Sequence, residues 1–368
     1  MIRTVILTAI VTILSGCSSH ALQTYLRGDM NMRGDMNMSG DMDMRGDMNM
    51  SGEVSTVMRT DNSASRLSEI QVYAATDAKH RQKIVVLDVD GLLVNKNIGG
   101  IGSLGENPVA LFREKLDAIA VDPDVAGIVL RINSPGGGVT ASDIMSRDLL
   151  QVKSQYNLPV VACIMDVGTG GAYYLATVAD EIVAHPTAIL GGLGVIFNAY
   201  NLELTLAQFN IAPIHVKSGD RIDMASPERV MEDAERDLLQ GLADEFHDRL
   251  ITQVELARPD ARAFHEILFD GSVFSGQRGL ELGLVDQIGY LDDAVVRVRH
   301  MAGLPADTPL VMLRRDNDRA YTLMDVTPNT PTMSSLLPLK IPGLDRSDLP
   351  TFMYLWQPEP SLSAAVGG

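Results

Sequence analysis

Between residues 83 and 301 the apolar positions follow two periods in turn. Short continuous apolar runs predict buried strands over Lys83 to Asp90, Ala126 to Ile132 and Pro159 to Met165. Three- and four-residue spacings predict helices between them. Val109, Leu111, Phe112, Leu116 and Ile119 mark one over Pro108 to Ala120, and Ala141, Ile144, Met145, Leu149 and Val152 mark the next. A third helix is predicted over Ala172 to Ala179. Short strands follow at Ile182 to Ala184 and Leu193 to Phe197, then a helix over Leu202 to Phe209 and a strand over Pro213 to Val216. Ser226 reads as the cap of a long helix with Pro227 in its first turn, reaching about Leu256. Three shorter helices, Ala261 to Leu268, Ser275 to Leu282 and Asp292 to Met301, complete the domain. Strands alternating with helices predict an α/β domain over residues 82–301 with a mostly parallel sheet.

Both flanks lose this pattern. Arg3 and the apolar run Val5 to Leu14 have the form of an export signal over residues 1–16, too short to favour a bilayer-spanning helix. Leu14-Ser15-Gly16-Cys17 resembles a bacterial lipobox, which would leave Cys17 as a lipidated N-terminus and anchor the protein to a membrane facing the periplasm or exterior. The alternative is an ordinary cleaved signal with an incidental cysteine. Residues 17–81 read as a tether. Within it a hexapeptide recurs from Arg27 to Met50, each unit carrying Gly, an acid and two Met one residue apart. The repeat is read as a spacer, as a soft-metal site for Cu(I), or as one face of a short β-segment. Residues 302–368 read as a proline-rich extended tail. Its apolar run Phe352-Met353-Tyr354-Leu355-Trp356 is expected to drape over its own domain or a neighbouring subunit.

Composition narrows the partners. A net charge of −17 without a dense basic run excludes electrostatic binding to nucleic acid or an anionic membrane. Two cysteines code no disulfide framework, and Cys163, in an apolar run, reads as a small buried side chain. No cofactor or metal centre is expected in the domain.

The candidate chemistry lies in two Gly-rich loops, each between a predicted strand and a predicted helix. The first is Asn133-Ser134-Pro135-Gly136-Gly137-Gly138, and the second is Gly168-Thr169-Gly170-Gly171. Loops at strand ends leading into helix starts gather backbone N–H groups around one point. Such a point suits an oxygen becoming an anion during acyl transfer. A tight turn that merely needs small residues is the plainer account of Gly136 and Gly137. Tyr173 and Tyr174 read as core residues with a hydroxyl handle, and Asp166, Asp180 and Asp223 as solvated or capping.

Several ordered blocks resemble the signal peptide peptidase A (protease IV) family of serine peptidases. They are Arg131 to Gly137, Tyr173-Tyr174 with Ala179-Asp180, Gly191 to Ile196, Lys217-Ser218-Gly219, and Asp270-Gly271 through Gly289. The resemblance spans about residues 83 to 300. It implies the crotonase/Clp-protease fold, a spiral of ββα units, together with assembly into a homo-oligomer. In that family a Ser at the start of the second helix attacks the peptide carbonyl, and a Lys from a later loop, kept neutral by burial, is the base. N–H groups of the first Gly loop, here Gly136 and Gly137, hold the oxyanion.

The dyad itself is missing from this pattern. Counted from Pro159, the family's nucleophile position falls on Gly170. Counted from Lys217-Ser218-Gly219, its base position falls on Ile222. Thr169 and Lys217 are the substitutes at hand. Three readings follow: a peptidase using Thr169 or a residue from another subunit, a pseudoenzyme that binds peptide or assembles, and, disfavoured by the matched blocks, an enzyme acting on acyl thioesters. Peptides such as signal-peptide remnants in the cell envelope are the expected substrates or ligands.

Overall fold

In the computed structural model the described residues are 65–73, 81–97, 106–315, 321–325 and 352–356, with six backbone strands between Leu22 and Met58. The expected signal segment and Cys17 lie outside them. Two compact units are present, residues 1–61 with 102–104, and the remainder.

In the first unit the repeats fold back on themselves. β1 (Leu22–Arg27) pairs antiparallel with β6 (Glu53–Met58), β2 (Met30–Arg33) with β5 (Asp47–Met50), and β3 (Met36–Met38) with β4 (Met42–Met44). The described residues of the repeat are therefore paired strand.

The second unit is built on a mostly parallel sheet. Its strands are β7 (Leu67–Tyr73), β8 (Lys83–Asp90), β9 (Val125–Ser134), β11 (Val160–Thr169), β13 (Ile189–Gly191), β15 (Val273–Ser275) and β17 (Leu310–Arg315), in the order β15-β13-β11-β9-β8-β17-β7. Strands β8, β9, β11, β13 and β17 run parallel to their neighbours in this group, and β7 and β15 close the edges antiparallel. β12 (Glu181–Ala184) joins β11 to β16 (Gln287–Ile288). A separate three-stranded sheet holds β10 (Gly136–Gly138), β18 (Phe352–Leu355) and β14 (Ile196–Phe197), in the order β10-β18-β14.

Helices cover both faces, which is why the central strands read as unbroken apolar runs. Val85, Leu87, Ile128 and Leu130 share a core with Phe112 and Leu116 of α1 (Pro108–Val121) and with Met145 and Leu149 of α2 (Val139–Tyr156). Ile84, Val86, Val129, Val161 and Cys163 face the other way, onto Leu291, Val295 and Val298 of α8 (Leu291–Ala302). Cys163 is buried there, and desolvation pushes its thiol up to about 12. α1 starts where it does because Asn107 Oδ1 accepts from Val109 N at 3.0 Å and Ala110 N at 3.2 Å, with Pro108 next in line. Between α2 and α8 lie α3 (Gly171–Ala176), α4 (Glu203–Gln208), α5 (Asp233–Ala257), α6 (His265–Leu268) and α7 (Gly276–Glu281).

Five sequence expectations need correction. Residues 67–73, expected in the tether, are an edge strand. Residues 310–315, expected in the extended tail, form a wholly buried strand between β8 and β7. Two arginines there obscured the pattern. Arg314 pairs with Asp88 at 3.2 Å, and Arg315 pairs with Glu106 and with Glu114 at 2.7 Å, acids that come from far earlier in the chain. Residues 213–216 form no strand and are open to solvent, Val216 at 98%. The long helix starts at Asp233, not beside Ser226. Glu232 and Glu235 form a reciprocal capping box there, and Arg229 ties Glu235 to Asp223. Of the strand expected over residues 193–197, only Ile196–Phe197 forms.

Candidate active site

β11 ends at Thr169 and α3 begins at Gly171, so Gly170 alone makes the turn. Its φ of 52° and ψ of −119° are accessible to glycine and strained for any other residue. Gly170 N donates to the Gly191 carbonyl at 2.9 Å, and its carbonyl accepts from Tyr174 N at 2.9 Å. A sharp strand-to-helix turn of this kind is how hydrolases present a nucleophile.

Facing it is the first Gly loop. Gly136 has φ 98°, and its N–H donates to Ser134 Oγ at 3.1 Å. A Cβ on Gly137 would fall 2.0 Å from the Leu93 carbonyl oxygen, so backbone packing alone requires glycine there. The two Gly turns do converge: a Cβ on Gly136 would stand 2.8 Å from Gly171 N and 2.9 Å from Thr169 O.

The space between them is filled by the chain's own end. β18 lies antiparallel on β10, with Gly136, Gly137 and Gly138 opposite Leu355, Tyr354 and Met353. Trp356 N donates to the Pro135 carbonyl at 3.3 Å. Hydrogen-bonded pairs in an antiparallel ladder recur at every second residue, so Gly137 and Tyr354 form the next such pair. The Gly137 N–H therefore donates to the Tyr354 carbonyl. That carbonyl carbon lies 2.7 Å, and its oxygen 2.4 Å, from where a Cβ on Gly170 would stand. The expectation that this apolar run covers its own domain holds for residues 352–356.

Side chains anchor the strand. Tyr354 is fully buried against Tyr174, ring centroids 5.7 Å apart, and its hydroxyl donates to the Phe246 carbonyl at 2.6 Å. Phe352 stacks on Phe197 and Phe246 at 4.8 and 5.2 Å. Burial, then the bond to Asp143, pushes Tyr174 up to about 12. Tyr173 donates to the Leu284 carbonyl at 2.6 Å, so both tyrosines are core residues with a bonded hydroxyl. Beside the end of the strand is a cavity of about 290 Å³, lined by Gly192, Asp244, His247, Asp270 and Trp356 among others.

The expected dyad substitutes are not brought together. Thr169 is buried, and its hydroxyl donates to the Pro135 carbonyl at 3.1 Å. Lys217 spends its amine on Asp223, at 2.9 and 3.1 Å, and on the Asp220 carbonyl. Hydrogen bonds from Arg229 and then Lys217 hold the Asp223 carboxyl well below its ordinary range. Ile222 is 76% exposed. A hydroxyl that sequence reasoning missed, Ser142, sits 2.1 Å from where a Cβ on Gly171 would be, but it donates to the Gly138 carbonyl at 3.0 Å. Among the described residues no lysine or histidine bonds to either hydroxyl. None of their helices is long and apolar enough to cross a membrane.

Residues 153–305 match Peptidase family S49. An Enterococcus faecium protein named as a signal peptide peptidase SppA is 30% identical over 62% of this chain and 66% of its own length. The chain belongs to peptidase family S49. Protease 4 of Salmonella typhi is 25% identical over 83% of this chain and 46% of its own, and a Synechocystis protein named as a protease is 33% identical over 49% and 64%. The chain thus spans between about half and two thirds of these relatives. A solved membrane-bound stomatin-specific protease overlaps it loosely, with a TM-score of 0.36 and 12% identity over 59% of this chain and 79% of its own. The S49 resemblance, the serine-peptidase affiliation and the mixed α/β fold with a mostly parallel sheet stand as expected.

Proposed function

We propose that this S49 member binds an extended peptide strand over Gly136 to Gly138 and does not hydrolyse it. The observation carrying this reading is the Tyr354 carbonyl carbon at 2.7 Å from the missing Gly170 Cβ. The strand lies where a family substrate would be attacked, and the attacking side chain is absent. Main-chain pairing supplies affinity and the aromatic anchors supply selectivity, as in other strand-addition complexes. The Gly137 N–H polarises the bound carbonyl without a nucleophile to use it. The protein is exported and held on an envelope membrane through lipid on Cys17. It assembles as a homo-oligomer through the exposed face of α5, and it takes peptides such as signal-peptide remnants.

A second reading keeps hydrolysis, and family membership together with the preserved turn at Gly170 favours it. Thr169, or a residue from another copy, would then attack. Incubating the purified protein with an unstructured fluorogenic peptide, beside Thr169→Ala, separates the two. Binding without cleavage supports the first reading. Cleavage lost in Thr169→Ala establishes the second, and cleavage unchanged in it removes Thr169. Mass measurement of the mature N-terminus tests the anchor: acyl chains on Cys17 are expected, and a free, unmodified amino group refutes it.

A further inference from the structure

β18 has an unfilled space beside its far end. On one side it pairs with β10 as far as Leu355, but on the other β14 faces only Phe352 and Met353. Past Met353 that side opens onto the cavity of about 290 Å³, which Leu355 and Trp356 line without filling. Gly192 lines it too. Its φ is 57°, and a Cβ there would stand 2.9 Å from Trp356 Cβ and 3.6 Å from Trp356 Cγ. The bare backbone of Gly192 is thus what gives the side chain at position 356 its way off the strand.

The chemistry of this cavity is one-sided. Asp244 and Asp270 line it, and no lysine or arginine does. Asp244 Oδ1 accepts from Gln240 Nε2 at 2.7 Å, and Asp270 Oδ1 accepts from Ser272 N at 2.8 Å. Both donors are neutral, and among the described residues neither carboxylate has an ion-pair partner. Hydrogen bonds from Ser272 hold the Asp270 carboxyl below its ordinary range. His247 Nε2 lies 3.1 Å from the Leu193 carbonyl, which can only accept. In the neutral ring Nδ1 is therefore a third acceptor. Phe269, buried, adds an apolar wall along which a methylene stem can lie. Two uncompensated negative charges behind an apolar wall suit a long side chain with a cationic head.

We propose that this cavity is a subsite for a lysine or arginine side chain, carried by a bound peptide strand two positions after the residue opposite Gly170. The proposal rests on the strand-binding reading above and adds to it a preference among peptides. In this chain the position is Trp356, whose ring cannot neutralise either acid. The chain's own end is held by Phe352 and Tyr354 and is mismatched at its last described residue.

The test uses the intact chain with residue 356 varied in place. Amide exchange of Met353 to Leu355, read against the amides of β9 in the same sample, reports the grip on the strand. Trp356→Lys should slow that exchange about fivefold relative to Trp356→Met, whose stem is of nearly the same length and uncharged, and Trp356→Glu should speed it by a similar factor. Asp244→Asn with Asp270→Asn keeps an oxygen for Gln240 and for Ser272, and should erase the difference between Lys and Met. Protected wild-type amides with Lys, Met and Glu ranking equally would overturn the subsite and leave the strand reading standing. A lysine advantage that survives both Asn changes would overturn it as well. Wild-type amides of Met353 to Leu355 exchanging as fast as those of an unpaired chain would overturn the strand reading itself, and the subsite with it.

Discussion

The carbonyl carbon of Tyr354 stands 2.7 Å from the point where a side chain on Gly170 would begin. One of the two must give way if the other is to change. Gly170→Ser should therefore expel residues 352–356 from β10, and strain at φ 52° adds roughly 1–3 kcal/mol against the folded state. Hydrogen exchange should show the amides of Met353 to Trp356 losing protection. Peptide cleavage should remain absent even when Ile222→Lys is added, because a lysine at so exposed a position stays solvated and protonated. Cleavage by that double variant would contradict the account of the site.

Tyr354 should be the main anchor of the strand. Tyr354→Ala removes a fully buried aromatic ring, a change costing about 3–5 kcal/mol in a core. Tyr354→Phe leaves the ring in place and deprives the Phe246 carbonyl of its donor, at about 1 kcal/mol. Limited proteolysis of the chain end should rank them wild type, Phe, Ala in rising susceptibility. Equal susceptibility of all three would mean that the hydroxyl and ring do not hold the strand.

A chain ending at residue 350 should accept the missing strand from solution. A synthetic peptide spanning residues 351–357 should bind it in calorimetry, and should bind the intact chain far more weakly because the groove is occupied. Equal binding to both would place the peptide elsewhere.

Much of this site was legible from residue order alone. Asn133 to Gly138 and Gly168 to Gly171 sit at strand ends, and the helix spacings after them are clean, so the converging turns could be foreseen. The occupant could not. Phe352 to Trp356 has strand composition, but nothing local specifies that its partner is three glycines more than two hundred residues earlier. β17 was hidden for a related reason: buried Arg314 and Arg315 are tolerable only beside Asp88, Glu106 and Glu114, which periodicity cannot see. The misplaced start of α5 was a competition between caps. Ser226 has the right chemistry, but the Glu232–Glu235 pair satisfies two backbone donors at once.

Asp90 should make stability depend on pH. Burial, then the neighbouring Asp88 charge, raises its carboxyl from 3.8 to about 6. The folded state therefore binds this proton more tightly than the unfolded one. That contribution is complete below about pH 4 and is lost as pH rises through 6, amounting to roughly 2–3 kcal/mol. Denaturant melts at pH 4.5 and pH 7 should show Asp90→Asn more stable than wild type at pH 7, with the gap narrowing toward pH 4.5. A gap that is constant with pH would show that Asp90 titrates normally.

Thr169→Val should cost about 1 kcal/mol, the loss of one hydrogen bond to Pro135, and should leave peptide binding intact. A thermal melt and the same calorimetric titration check both halves.

Arg131 binds Asp88 at 2.8 Å and reaches past it to the carbonyls of Leu323 and Asp325, while Arg314 holds the other oxygen of Asp88. The middle of the sheet is thus locked by residues far later in the chain. Until they emerge, β8 has an open flank and Asp88 lacks half its counter-charge. Contacts this distant in sequence form slowly. A nascent chain therefore cannot complete this sheet piecemeal, and a stop codon before Leu310, which removes β17 and Arg314, costs the fold and not a dispensable appendage.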